Sequence, residues 1–253
     1  MRKEYLLNIN GFEMNVSYEE RTIEEVFLPL LREWTKLQEE KQKRILIFLS
    51  APPGTGKSTL SLFLEYLSKT EEDVAEIQAI GLDGFHFHQD YLETHQMCVN
   101  GEMVPMKNVK GCLETFDIEK LLVKLKQLKE ADTMWPIYDR NLHDVVEDVV
   151  QVIKDIVLIE GNWLLSNEGA WKKLKDWCDD SIFISAEVDD LAERLITRKM
   201  KGGLSIEDAE VFYHNSDKKN VERVLANHHP ARVTLCMKNN DLLLTFPFME
   251  RLS

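Results

Sequence analysis

Cysteine is scarce in this chain, and the few present do not cluster. Cys98, Cys112, Cys178 and Cys236 stand far apart among 253 residues. That excludes a small disulfide-stapled domain and the paired spacing of a structural zinc site, and leaves four reduced thiols of a cytosolic protein as the expectation. Long apolar runs are missing as well. No stretch approaches the roughly 20 residues that span a bilayer. The opening Met1-Arg2-Lys3-Glu4-Tyr5 leads into no signal-like segment, so a cytoplasmic protein with no membrane partner is expected. Positive charge is in deficit: 31 Lys and Arg against 44 Asp and Glu give a formal net charge of −13. A broad basic surface for nucleic acid is therefore not expected, although a local basic pocket for a nucleotide is compatible with that balance. Repeats, low-complexity tracts and long Gly/Ser linkers are absent too. What remains, 44% hydrophobic and 30% charged residues, is the composition of an ordinary soluble chain able to bury one sizeable core.

Against that plain background one stretch stands out, Ser50-Ala51-Pro52-Pro53-Gly54-Thr55-Gly56-Lys57-Ser58-Thr59. An apolar run, Ile45 to Leu49, precedes it and a helix-like run, Leu60 to Leu67, follows it. Strand, glycine turn and helix start form the context of a phosphate-binding loop. Gly54 and Gly56 carry no Cβ, so the backbone can curl and aim its N–H groups at one anion. The helix start adds unsatisfied N–H groups and a positive dipole end. Lys57 is placed to reach terminal phosphates and the Ser58 hydroxyl to ligate Mg²⁺. Residues Ala51 to Thr59 are accordingly the expected ATP-binding segment; Ala51 departs mildly from the pattern, which asks for Gly there.

Other stretches arrange themselves around this one. Residues 5–18 read as extended pieces about an Asn10-Gly11 hairpin turn. Ile23, Val26, Phe27, Leu30, Leu31, Trp34 and Leu37 then recur at helical spacing, with a kink or restart expected at Pro29. Residues 1–43 are thus expected as an N-terminal helical arm on the outside of a nucleotide domain, 44–253, the whole forming a single globular unit. A second strand is expected over Val74–Ile80, running into Gly81-Leu82-Asp83-Gly84-Phe85-His86-Phe87-His88. Asp83, just past a strand end, is placed to face the γ-phosphate region, or is a turn or cap residue. Residues 89–112 read as a mobile loop over the site. Asp117 caps a helix with a leucine stripe. Trp135 to Asp144 reads as a short strand ending in a polar cluster, where Arg140 and His143 are candidates for substrate contact or plain surface charge.

Ile156-Val157-Leu158-Ile159-Glu160 is a buried parallel-type strand ending in an acid, the expected Mg²⁺ partner of the phosphate loop. Ser181–Ala186 is another core strand. Arg194 and Arg198, four apart on a helix that ends at Gly202-Gly203, suit a lid over phosphates or are solvated helix charge. The tail from Arg232 to Phe246 reads as a terminal β-hairpin.

Taken together, these pieces resemble the kinase superfamily of phosphoribulokinase, uridine kinase and bacterial pantothenate kinase. The resemblance covers residues 44 to about 236. It rests on Ala51–Thr59, Leu82–His86, Lys110-Gly111-Cys112-Leu113-Glu114-Thr115-Phe116-Asp117, Tyr138-Asp139-Arg140 with His143-Asp144, Ile159–Asn162, and Arg194-Leu195 with Arg198. The run from Lys110 to Asp117 is most like pantothenate kinases and bacterial fructose-transport kinases, which usually carry Pro where Leu113 stands. The resemblance implies a P-loop α/β fold, a parallel sheet with helices on both faces, here with the arm, lid and C-terminal hairpin added. It implies Asp83 as catalytic base beside Lys57, and Glu160 with Ser58 at Mg²⁺. His86, Tyr138, Arg140 and His143 would hold the acceptor with Asp83, and Arg194 and Arg198 would close on ATP. The expected activity is transfer of the γ-phosphate of ATP to a hydroxyl of a pantothenate-, nucleoside- or sugar-like metabolite. The alternatives are an NTP-hydrolysing switch or chaperone without a small acceptor, and a protein that binds nucleotide without turnover. Homodimerisation is left open.

Overall fold

An N-terminal hairpin, β1 (Arg2–Ile9) and β2 (Phe12–Glu19), opens the computed structural model, which describes residues 1–9, 12–99, 101–238 and 241–244. The strands pair antiparallel with Ile9 opposite Phe12; the Asn10-Gly11 turn lies outside the described residues. A short α1 (Glu20–Thr22) then runs through one π-turn (Ile23–Phe27) into α2 (Leu28–Lys41). The interruption expected at Pro29 takes the form of that π-turn. The winding loosens just ahead of the proline, which sits in the first turn of α2 where a missing N–H matters least. The N-terminal segment is therefore half hairpin and half helix.

All six residues of β3 (Ile45–Ser50) are buried. It feeds the glycine turn and α3 (Lys57–Thr70), and β4 (Ile77–Gly81) follows. Residues 89–99 and 101–112, expected as part of a mobile irregular loop, carry secondary structure instead. They contain α4 (Gln89–Thr94), a hairpin of β5 (Gln96–Val99) and β6 (Glu102–Pro105), and a 3₁₀ turn (Met106–Val109). Four-residue strands paired only to each other carry too little periodicity to be read in advance. Asp117 caps α5 (Ile118–Glu130), its carboxylate accepting from the Lys120 N–H at 2.9 Å. Next, β7 (Thr133–Asp139) and β8 (Asp144–Val152) make a separate antiparallel hairpin.

The chain returns to the core as β9 (Ile156–Gly161) and β10 (Asp180–Ala186). Then come α6 (Val188–Lys201), α7 (Ile206–Phe212) and, through a second π-turn (Tyr213–Asp217), α8 (Lys218–Ala226). The described residues end with β11 (Val233–Lys238) and β12 (Asp241–Leu244), which pair antiparallel; the turn at 239–240 and residues 245–246 of the expected hairpin lie outside the described residues.

The central sheet runs β12-β11-β10-β3-β9-β4, parallel except for the edge strand β12. Its alternation explains its placement. Ile45, Ile47, Leu49, Ile156 and Leu158 enter one buried cluster with α2, α3 and α6, while Leu46, Phe48, Val157 and Ile159 enter another with α5. Apolar side chains on both faces leave a strand no solvated side, and helices must cover each. The outcome is an α/β sandwich whose phosphate-binding turn leaves the sheet at the carboxyl end of a central strand, where such sheets bind ligands.

Candidate active site

The glycine turn is shaped by its backbone. Gly54 and Gly56 have φ of +88° and +85°, the left-handed region that a Cβ disfavours. Ala51, Pro52 and Pro53 are buried beneath the turn, and the Thr55 hydroxyl ties it down by donating to the Pro52 carbonyl at 3.0 Å. Lys57 is the first residue of α3, so the loop amides and the helix N-terminus open toward one point.

Strand register then assembles the rest. Glu160 pairs with Leu49 of β3 on one side and Gly81 of β4 on the other, which puts its carboxylate level with the start of α3. The Ser58 hydroxyl donates to Glu160 Oε1 at 2.8 Å. A hydroxyl and a carboxylate in contact are hard oxygen donors of the kind Mg²⁺ takes alongside phosphate oxygens, so the pair fits that ion. Asp83 follows β4 at once, in a single 3₁₀ turn over Leu82–Phe85. No side chain caps that turn, and among the described residues the Asp83 carboxylate accepts no hydrogen bond. Its side chain is exposed to a cleft of about 200 Å³ that Ser58, Tyr138, Arg140 and Glu160 also line.

Burial pushes the Glu160 carboxyl up from its ordinary value; Lys57, the Ser58 hydrogen bond and Arg140 oppose that, and the Asp83 charge adds to it. These influences place two carboxylates and two cations within electrostatic reach of one another.

The β7–β8 hairpin closes the cleft from above. Trp135 Nε1 donates to the Gly81 carbonyl at 2.9 Å, and the strand crosses Gly84 so closely that a Cβ there would lie 2.2 Å from the Pro136 carbonyl oxygen. Backbone cannot yield as a flexible side chain can. Gly84→Ala should therefore cost roughly 1–3 kcal/mol of stability, lowering the melting temperature by about 2–10 °C. A thermal melt checks this, and an unchanged midpoint contradicts the close approach.

One residue of the site was quoted in the sequence motifs without being given a role. Lys110 Nζ donates to Tyr138 Oη at 3.0 Å, to Gln89 Oε1 at 2.9 Å and to the His143 carbonyl at 3.3 Å. It braces the loop that carries Arg140. The motif signalled its importance; the partner 28 residues away is set by tertiary structure alone. Behind it, Arg223 of α8 donates twice to Glu114 (2.7 and 3.0 Å) and twice to Glu168 (2.9 Å each). That clasp joins α8 to the segment after Lys110 and to the loop after β9.

Three expected site residues stand apart from the cleft. His86 is buried, with its ring 3.8 Å from Phe116 and 5.7 Å from Tyr138. Its Nδ1–H donates to the Asp83 carbonyl at 2.9 Å, and burial holds its pKa below the usual histidine range against the raising effect of Asp83. It supports the turn from behind. His143 is exposed at the hairpin tip with φ of +54°, and its carbonyl, as noted, accepts from Lys110. Arg198 is exposed on the last turn of α6. Arg194 does reach the loop: a Cβ on Gly56 would lie 3.6 Å from its Nη2.

No family model matches the chain, but individual proteins do. The uncharacterized protein YggC of Escherichia coli (strain K12) is 44% identical over 232 residues, 91% of this chain and 94% of that one. Pantothenate kinase of Streptococcus gordonii is 26% identical over 89% of this chain and 77% of its own. Among solved structures, a chain from Silicibacter sp. TM1040, provisionally named a fructose transport system kinase, superposes with a TM-score of 0.70 at 28% identity, covering 81% of this chain and 98% of that one. No helix of the described residues is long and apolar enough to cross a membrane. With Ser58 at the end of the loop, the β9 acid and the Asp83 turn lining one cleft, the chain belongs to the family of YggC and to the P-loop kinases of the phosphoribulokinase, uridine kinase and pantothenate kinase superfamily, on the branch of the pantothenate and fructose-transport kinases, and is a phosphotransferase acting on a hydroxyl acceptor.

Proposed function

We propose that the protein transfers the γ-phosphoryl group of ATP to a hydroxyl of a small pantothenate-, nucleoside- or sugar-like metabolite. The observation that carries this is the cleft itself, in which the Ser58–Glu160 pair of the nucleotide end and the Asp83, Tyr138 and Arg140 side chains share one volume. A nucleotide switch needs no polar acceptor wall facing its γ-phosphate position; a kinase does.

Phosphoryl transfer asks a protein mainly for positioning and for neutralised charge. Loop amides from Gly54 to Ser58, with Lys57, would hold the β- and γ-phosphates, and Arg194 would cover them from α6. Mg²⁺ held by Ser58 and Glu160 would offset the charge shared by those phosphates. Asp83 would accept the hydroxyl proton. Tyr138, steadied by Lys110, and Arg140 would orient the acceptor, while His86 keeps the Asp83 turn in place.

A metabolite library screened for ADP release tests the proposal. One hydroxyl compound should raise ATP consumption well above the acceptor-free rate; hydrolysis that no compound stimulates favours the NTPase alternative. Arg140→Ala then separates the two ends of the cleft. Arg140 lies just beyond β7 at the acceptor side and makes no hydrogen bond among the described residues. Loss of one charge-assisted contact should raise the acceptor KM roughly 10–100-fold and leave the ATP KM nearly unchanged. The reverse pattern would assign this loop to the nucleotide.

A further inference from the structure

The central sheet ends at β4, which pairs with β9 alone among the described strands. Successive residues of such an edge strand turn their N–H and C=O groups alternately toward the partner and away from it. Two hydrogen bonds fix the phase of that alternation. The Ile77 N–H donates to Ser68 Oγ of α3 at 3.0 Å, and the Gly81 carbonyl accepts from Trp135 Nε1 at 2.9 Å. Side chains, not β9, take both groups, so residues 77, 79 and 81 face the open edge. Ala79 stands between them and turns its N–H and C=O the same way. Among the described residues neither group has a hydrogen-bond partner on that edge.

The cleft reaches this edge. Ala79 lines the same volume of about 200 Å³ as Asp83 and Arg140, together with Leu62 of α3 and with Ile137 and Val150 of the β7–β8 hairpin. The hairpin does not complete the sheet. It hangs from β4 by a side chain, Gln78, whose Nε2 donates to the Gln151 carbonyl at 2.8 Å and whose Oε1 accepts from the Ile153 N–H at 3.0 Å. A glutamine spacer holds two backbones farther apart than the roughly 4.8 Å of paired strands.

We infer that the open edge of β4 at Ala79 is a specificity subsite of the acceptor cleft, and that the acceptor carries, besides its hydroxyl, a planar group with adjacent donor and acceptor atoms: an amide, lactam or imide. The inference rests on the acceptor role proposed for this cleft. The N–H and C=O of one edge residue form a rigid donor–acceptor pair. An amide meets both at once, as an added strand does. A polyol offers hydroxyls but no such fixed pair, and a site with unmet amide groups rejects a ligand that leaves them unmet. The apolar side chains of Leu62, Ile137 and Val150 suit the flat faces of such a group. Strand rise puts Ala79 roughly 7 Å before Gly81, and Asp83 lies beyond that, so a linker of several bonds separates the acceptor's amide from its reacting hydroxyl.

Amide hydrogen exchange followed by NMR reads the edge directly. In the free protein the Ala79 N–H should exchange roughly 10²-fold or more faster than those of Gln78 and Ile80, which point at β9. An Ala79 amide as protected as its neighbours overturns the inference. ADP release is then measured with two sets of alcohols, one bearing an amide or imide, led by pantothenate and uridine, the other amide-free, led by fructose. A compound of the first set should stimulate turnover, and methylation of its amide nitrogen should raise its KM roughly 5–50-fold. Ala79→Pro removes the N–H on the protein side, at a position where an edge strand tolerates proline. It should raise the same KM by a similar factor and leave the ATP KM nearly unchanged. Stimulation by the amide-free set alone overturns the inference and leaves the kinase standing. So does a methylated analogue that serves as well as its parent, a result that needs no variant to fold. Turnover that no compound of either set stimulates strikes the kinase reading itself, and the inference with it.

Discussion

Asp83→Asn is expected to lower kcat by roughly 10²–10⁴ while ATP binding survives. The exchange keeps size and shape and removes only the basicity of the carboxylate. The local geometry sharpens the expectation. A turn residue would engage its carboxylate with backbone N–H groups; here no side chain caps the turn, and the Asp83 carboxylate accepts no hydrogen bond among the described residues. The turn is held by other means, namely the His86 ring on the Asp83 carbonyl and the Trp135 indole on the Gly81 carbonyl. Asn should therefore fold equally well, so that lost turnover reports chemistry. Two measurements decide the role: ATP affinity, and the response of the residual rate to added Mg²⁺. A mutant that binds ATP and ignores extra metal supports the base. One rescued by metal assigns Asp83 to Mg²⁺, and one that keeps more than about half its activity removes it from the mechanism.

Lys57→Ala is expected to abolish measurable transfer, a loss of at least roughly 10²–10³ in kcat, with an unchanged melting temperature. Lys57 stands at the first position of α3. Its charge is the largest influence opposing the upward shift of Glu160, so the ammonium and the carboxylate lie within electrostatic reach of one another. Among the described residues its side chain makes no hydrogen bond or ion pair, so truncation leaves no buried partner unsatisfied. What is lost is a charge-assisted contact to the transferring group. Turnover near that of the wild type would show that the loop does not carry the phosphate. A collapsed melting curve would mean that the lysine holds the fold instead.

The parts of this molecule legible in the sequence are those in which one short segment fixes its own chemistry. The turn from Ser50 to Thr59 announces strand, glycines and helix in ten consecutive residues. The run ending at Glu160 could be read as buried on both faces because it contains no polar position. Legibility fails where geometry comes from pairing between segments. The run from Asp144 to Val152 mixes acids with valines and gave no sign that it would pair with β7, with the register slipping between Trp135 and Ile137. Residues 96–105 hide a hairpin in strands of four residues. His86 illustrates the same limit for a site: its position beside Asp83 suggested acceptor contact, but the Phe116 ring that claims it lies 30 positions on. The two extended pieces at the start were legible, and their place against α3 was not.

The Arg223 clasp carries a consequence for how this end of the molecule opens. Its four hydrogen bonds go to carboxylates on two different segments, and its guanidinium lies 5.6 Å from the Trp163 ring, whose own N–H holds the Gly111 carbonyl. If Glu114 leaves, Glu168 and Arg223 remain paired but the ring and the Gly111 carbonyl lose their cover; if α8 leaves, two carboxylates face each other unneutralised. Neither partial state is favourable. Separation of α8, the segment around Glu114 and the loop at Glu168 is accordingly expected to be coupled, so that amide exchange in the three segments should share one opening step.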